Sequence, residues 1–137
     1  MHFIITFNLG VCCNQVRVLG TNQYGIPLDG YYTWDGVSLI NGKPQFTGIG
    51  SASLNAIWFD TDQSLWMVSS ASHIGNQVGW ILSDISDSNT CPSDAKGWKK
   101  VDPNTQTFVE DPNISVLCHT GSDSKIINFI FEIIFLQ

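Results

Sequence analysis

Four cysteines carry the clearest covalent chemistry in the chain. Cys12, Cys13, Cys91 and Cys118 form no C-x-x-C pair, and His2, His73 and His119 are scattered. A structural zinc site draws on paired ligands at short spacing, so no metal and no cofactor are expected. An even number of cysteines in a short, tryptophan-rich, lysine-poor chain fits disulfides formed in an oxidising compartment. The alternative is a set of buried free thiols in a cytosolic protein.

Other residues offer weaker chemistry. Asp60-x-Asp62-x-Ser64 resembles half of a calcium loop, but the positions that an EF-hand gives to Gly and Glu are Leu65 and Ala71. A plain hairpin turn explains it better. Asp84, Asp87 and Asp94 alternate with Ser86, Ser88 and Ser93 in what reads as a solvated loop. His73 beside Ser69, Ser70 or Ser72 gives a nominal base and nucleophile. A triad also needs an orienting acid and an oxyanion hole, and the chain has no G-x-S-x-G elbow. Paired carboxylates for glycoside hydrolysis cannot be picked out. The expectation is therefore not an enzyme.

The aromatic residues carry more weight. Tyr31, Tyr32, Trp34, Trp58, Trp66, Trp80 and Trp98 include candidates for a platform under a sugar ring. Trp58, Trp66 and Trp98 sit in strand patterns and read as core. Tyr32 and Trp34, on the face opposite Tyr31, are the expected exposed pair. Asn113-Ile114-Ser115 has the form of an N-glycosylation acceptor, with a proline before it.

The elements that would hold these residues are short strands. The stretch at 57–68 sets two apolar runs, Ile57-Trp58-Phe59 and Leu65-Trp66-Met67-Val68, around a polar turn, and reads as a central hairpin. Before it, residues 13–20 alternate with Val16 and Val18 on one face and Gln15, Arg17 and Leu19 on the other, and Gly20 stops the strand. Residues 31–34 form a second strand, and 37–40 continue the pairing. Asn41-Gly42 is the strongest turn signal, since both residues tolerate positive φ. Pro44 suits a strand start or an edge, and 48–53 reads as a loop. After the hairpin come a loop at 69–75, a strand at 78–82, and a polar loop at 83–94 pinned by Cys91. A hairpin at 97–109 and a last alternating strand at 114–118 follow. No helical period appears between Val11 and Thr120. Many short strands with regular turns predict an all-β fold, a small antiparallel sandwich or barrel stabilised by disulfides.

Setting the first and last strands side by side, antiparallel, brings Cys13 near Cys118 and leaves Cys91 for Cys12. Four cysteines allow three connectivities, and this one is preferred. A vicinal Cys12–Cys13 bridge is strained and ranks last.

Bulk composition bounds the rest. The 137 residues suffice for one domain with a real core. Hydrophobic residues at 43% against 13% charged argue against disorder. A net charge of −6, with Lys99-Lys100 the one adjacent basic pair, leaves no basic patch. Neither nucleic acid nor anionic lipid is an expected partner. The domain is expected at 11–120, between a tail at 1–10 and an apolar tail at 121–137. The first tail lacks the basic start and cleavage site of a signal peptide. The second is short of the about 20 residues of a membrane span and contains Glu132. Both tails are rich in Ile, Phe, Asn and Leu. They read either as translated intron flanking an exon, which an uninterrupted transcript would refute, or as an extra strand or helix on the module.

The pattern resembles a β-rich repeat module of large extracellular proteins of protists and simple animals, where it recurs in tandem or beside epidermal-growth-factor-like modules. The matching residues are Cys13-x-x-Val16-x-Val18-x-Gly20, Gly30-Tyr31, Asn41-Gly42-Lys43-Pro44-Gln45-Phe46 and Ile57-Trp58-Phe59. Trp66-x-Val68, Trp80, Cys91-Pro92, Gly97-Trp98, Phe108, Asp111 and Ile114-x-Val116-x-Cys118 complete it. The resemblance implies an extracellular or cell-surface module with no catalytic role and no transferable binding residues. The expected function is structural or adhesive, with other extracellular modules, surface proteins or glycans as partners. The alternative is a carbohydrate-binding domain using exposed aromatics, and a secreted hydrolase is the remote third reading.

Overall fold

The computed structural model describes residues 2–8, 12–21, 27–77, 79–86, 91–102, 104–119 and 128–134. Its strands, in chain order, are β1 (His2–Asn8), β2 (Gln15–Leu19), β3 (Gly30–Thr33), β4 (Leu39–Ile40), β5 (Lys43–Pro44), β6 (Phe46–Ile49), β7 (Asn55–Asp60), β8 (Leu65–Ser70), β9 (Ile81–Leu82), β10 (Lys99–Val101), β11 (Phe108–Glu110), β12 (Ser115–Cys118) and β13 (Asn128–Ile134). Two 3-10 turns, Gly50–Ala52 and Ala71–His73, punctuate them. The fold is all-β. The segment expected as a loop at 48–53 begins as strand, because β6 runs on through Ile49 to pair with Tyr31. β8 likewise extends to Ser70. Asp87, Ser88 and Val78 lie outside the described residues.

Nine strands form one antiparallel sheet in the order β11-β10-β9-β8-β7-β6-β3-β2-β12. Eight of them follow as a meander. The last, β12, returns to lie beside β2, with Cys118 opposite Val16. At a strand spacing of about 4.8 Å, a flat sheet of this width would hold its edges about 38 Å apart. The two edge strands, β11 and β12, are nevertheless joined by Asp111, Pro112, Asn113 and Ile114 alone, a link that reaches about 18 Å at full extension. The sheet must curl until its edges nearly meet. Strand twist supplies the curl, and the result is a half-barrel, which decides the choice between sandwich and barrel.

The inside of the curl is the main core. Val16 and Val18 of β2, Tyr32 of β3, Phe46 of β6, Ile57 and Phe59 of β7 and Trp66 and Val68 of β8 meet there with Trp98. A second, smaller cluster lies on the outer face of the central hairpin: Ala56, Trp58, Leu65, Met67 and Leu82, with Ile40 packed against them. Ile40 belongs to the β4–β5 hairpin, whose turn residues Asn41 and Gly42 adopt φ of 55° and 77°, as a type I′ turn requires. Asn41 Nδ2 donates to the Phe59 carbonyl at 2.8 Å and fastens that hairpin to β7. Both faces of β7 and β8 are therefore covered, which explains why their sequences read as continuous apolar runs rather than alternating ones.

Two glycines mark close approaches. Gly20 (φ +82°) ends β2, and a Cβ there would collide with the Asn113 carbonyl. A Cβ on Gly48 would collide with the Ala52 carbonyl under the 3-10 turn. The first contact lays the short link between the sheet edges over the end of β2.

Two disulfides tie this frame: Cys12 to Cys91 and Cys13 to Cys118, with Cα separations of 5.4 and 5.8 Å. The preferred connectivity is the one present, and the antiparallel pairing of β2 with β12 is its cause. Outside the large sheet, the tails pair with each other. β1 and β13 form a two-stranded antiparallel ribbon with Phe3 opposite Ile133, Ile5 opposite Phe131 and Phe7 opposite Phe129.

Candidate functional site

Of the expected platform pair Tyr32 and Trp34, Tyr32 is not on the surface. Val16 and Val18 face inward, and Tyr32 stands directly opposite Val16 in the ladder, so it shares their face and is fully buried. Its hydroxyl donates to the Leu28 carbonyl at 2.6 Å. Burial pushes the Tyr32 phenol well above the usual tyrosine range, against a smaller lowering from Asn55. Trp34 is half-buried against the main core, and its Nε1 donates to the Ser38 carbonyl at 2.9 Å. Trp58, Trp66 and Trp98 are buried. The parity error has a simple origin: alternation within 31–34 sorts residues onto two faces but does not say which face is inside.

The outward parity of β3 belongs to Tyr31. Arg17 sits 5.2 Å from its ring centroid, and the His119 ring lies at 4.4 Å and 53°. Leu117, opposite Arg17, and Ile49, opposite Tyr31, extend this row on the outer face of the sheet, both substantially exposed. With Arg17 and His119 packed on it, Tyr31 is a poor open surface for stacking.

A concave feature lies instead at one mouth of the half-barrel, where β7 begins and β8 ends. It is a cleft of about 310 Å³, at the small end of the range for ligand pockets. Asn55 and Ser70, paired across the two strands, form its floor. Trp80, Leu54 and Pro27 give its lining apolar surface, and the exposed Ser51 and Ser53 add hydroxyls. Hydrogen bonds place the Pro27 and Trp80 sides. Asn55 Nδ2 donates to the Pro27 carbonyl at 2.8 Å, and Tyr32 holds the neighbouring Leu28 carbonyl. Tyr32 is thus a brace behind the wall. On the opposite side the Trp80 amide donates to the Val68 carbonyl at 3.1 Å. The His73 ring meets the Trp80 ring edge-on at 5.8 Å and 83°.

His73 makes the contact that sequence reasoning raised as a nucleophile and base. Its Nδ1 lies 3.0 Å from Ser69 Oγ. Ser69 is fully buried, so its oxygen is closed to a substrate carbonyl. The pair acts as a latch that fixes the Ala71–His73 turn and, through the imidazole edge, the pose of Trp80.

The remaining candidates are separated. Asp60 is buried at the end of β7, Asp62 accepts a hydrogen bond from Gln77 Nε2, and Ser64 takes φ of 55° in the turn. Asp84 pairs with Lys99, and Asp94 is exposed on another turn. Among the described residues, no three His, Cys, Asp or Glu side chains gather in a group able to hold a metal ion. Asn113 is exposed in the link between the sheet edges, where its amide donates to Asp111 Oδ1 at 2.9 Å. Among the described residues no helix is long and apolar enough to cross a membrane.

Replacing Tyr32 by Phe tests the brace. The variant leaves the buried Leu28 carbonyl without its donor, an expected loss of about 1–3 kcal/mol at pH 7. A raised folded-state value means that the wild-type contribution is complete below about pH 10 and falls as pH rises above it. The gap between the two proteins should narrow by about 1.4 kcal/mol per pH unit beyond that point. Urea titrations of both at pH 7 and pH 11 read it directly, and a gap that stays constant would refute the assignment.

The sequence signals for the cleft were slight: serines at 51, 53 and 70 and an isolated Trp80, separated along the chain and joined only by the topology. No family model matches the chain, and neither a curated protein nor a solved structure shows significant similarity to it.

Proposed function

We propose that this chain is a non-catalytic extracellular module, structural or adhesive, that presents a preformed binding surface to other extracellular modules, surface proteins or glycans. One observation carries the reading. Among the described residues the lining of the concave mouth is uncharged, and hydrogen bonds fix the residues around it on a frame tied by two disulfides. Disulfides are consistent with an oxidising environment, and the resemblance to modules of extracellular proteins points the same way. The Ser69–His73 pair supports a binding role over a hydrolytic one, because its hydroxyl is enclosed. Asn113, exposed beside the sheet edge, is an acceptor in the secretory pathway on this reading.

The test is secretion of the full chain from eukaryotic cells. Peptide mapping should return the Cys12–Cys91 and Cys13–Cys118 bridges and a glycan on Asn113 that Asn113→Gln removes. Beads coated with the folded product should adhere to cell surfaces or extracellular matrix above a reduced, alkylated control. Four free thiols in a folded product would remove the compartment, and beads that adhere no better than the control would remove the binding role.

A further inference from the structure

We infer that the mouth cleft is a glycan subsite that stacks one neutral sugar ring on Trp80; this rests on the binding-module reading and gives it a ligand class. The chemistry of the lining selects the ligand. Among the described residues no charged side chain lines the cleft, so a carboxylate or a sulfate would lose solvation there without a counter-charge in return. The lining is amphipathic. An indole and the apolar Leu54 and Pro27 share it with the hydroxyls of Ser51, Ser53 and Ser70. A pyranose has the matching pattern, with C–H groups on its ring faces and hydroxyls around its edge.

The donors and acceptors are available. Ser70 Oγ engages Ser72 through its hydroxyl and amide, 2.9 and 3.4 Å away, on the solvent side of the turn. Ser51 and Ser53, both exposed, are left to exchange water for ligand hydroxyls. Trp80 is set in place before any ligand arrives. Its backbone is bonded to Val68, and its ring is held by His73, which the buried Ser69 hydroxyl fixes in turn. A rigid aromatic wall loses little conformational freedom on binding. A space of about 310 Å³ suits one ring rather than a long chain, so single-site affinity should be weak, with useful retention coming from repeated modules or clustered glycans.

The experiment uses the full, disulfide-bonded chain on beads. It measures retention on immobilised glucose, galactose, mannose and N-acetylglucosamine conjugates beside sialylated and sulfated ones. The variants are Trp80→Ala, Trp80→Phe and Ser53→Ala, each with its disulfide map and near-ultraviolet circular dichroism checked. Wild type should be retained on at least one neutral conjugate. Trp80→Ala should lose about tenfold, the scale of one aromatic contact; Trp80→Phe should recover most of that, and Ser53→Ala should lose severalfold with its fold unchanged. Retention on the charged conjugates alone, retention unaffected by both Trp80→Ala and Ser53→Ala, or no retention on any glycan would each overturn the inference. In those cases adhesion of the same beads to cell surfaces, if kept, leaves the binding module standing with a different ligand. Loss of adhesion as well removes the broader reading.

Discussion

Replacing Cys13 and Cys118 by alanine lowers the unfolding free energy by about 3–4 kcal/mol, and removing both bridges lowers it by about 8 kcal/mol. The bridges close sequence separations of 105 and 79 residues. Taken alone, each of these loops would be worth about 4.5–5 kcal/mol on the chain-entropy treatment. They are not independent, because Cys12 and Cys13 are adjacent. With either bridge in place, the other closes only the roughly 27 residues between Cys91 and Cys118, so losing one bridge costs less than its own long loop suggests. Losing both frees the long loops together, and the sum approaches the whole stability of an ordinary domain. The measurement is a guanidinium titration of wild type, the two single-bridge variants and the fully reduced chain. A single-bridge loss well above the expected value, or a reduced chain that keeps its midpoint, would mean that enthalpic strain or residual denatured structure governs instead. Function should follow stability here: the Cys13–Cys118 bridge fastens the chain just before β2 to the end of β12, so the reduced chain should also lose the mouth cleft.

Alanine in place of either hairpin tryptophan should cost about 3–5 kcal/mol, with the two losses arising in different places. Trp66 points into the half-barrel and meets Phe59 at 5.4 Å and 68°, an edge contact. Trp58 points outward, beneath the β4–β5 hairpin, among Ala56, Leu65 and Met67. Milder pairs reveal the separation. Trp66→Phe and Phe59→Leu should couple by about 0.5–1.5 kcal/mol in a double-mutant cycle, because their rings touch. Trp66→Phe and Trp58→Phe should add within about 0.5 kcal/mol, because they share no partners. Trp58→Phe alone should also be the cheaper of the two phenylalanine changes. Among the described residues the buried Trp58 indole N–H has no hydrogen-bond partner, nor does Asp60 Oδ2 two residues further on the same face, and phenylalanine removes an unsatisfied donor. Denaturant midpoints with an unchanged m-value check all of this. A Trp58→Ala variant as stable as wild type would show that the outer cluster is not a closed core.

Local chemistry made much of this protein legible before its structure. The alternation of Val16 and Val18, the apolar runs around 57–68 and the pair Asn41-Gly42 each depend on a few neighbouring residues, and each forms the strand or turn that its chemistry requires. The even cysteine count, with the expectation that the first and last strands lie together, led to the bridges that are present. What the sequence left undecided depends on pairing across distance. Tyr31 and Tyr32 are equally suited to either face, and only the ladder opposite Val16 turned Tyr32 inward as a brace and Tyr31 outward beside Arg17. The tryptophans of the central hairpin look like one core until the covering β4–β5 hairpin divides them into two. Curl, too, is a global property: four residues between β11 and β12 force the edges of a nine-stranded sheet together, and no local pattern encodes that closure. The mouth cleft inherits this limit. Pro27, Asn55, Ser70 and Trp80 carry no shared motif, and they meet because strand register and sheet curvature, set by contacts up to a hundred residues apart, leave them at one end of the barrel.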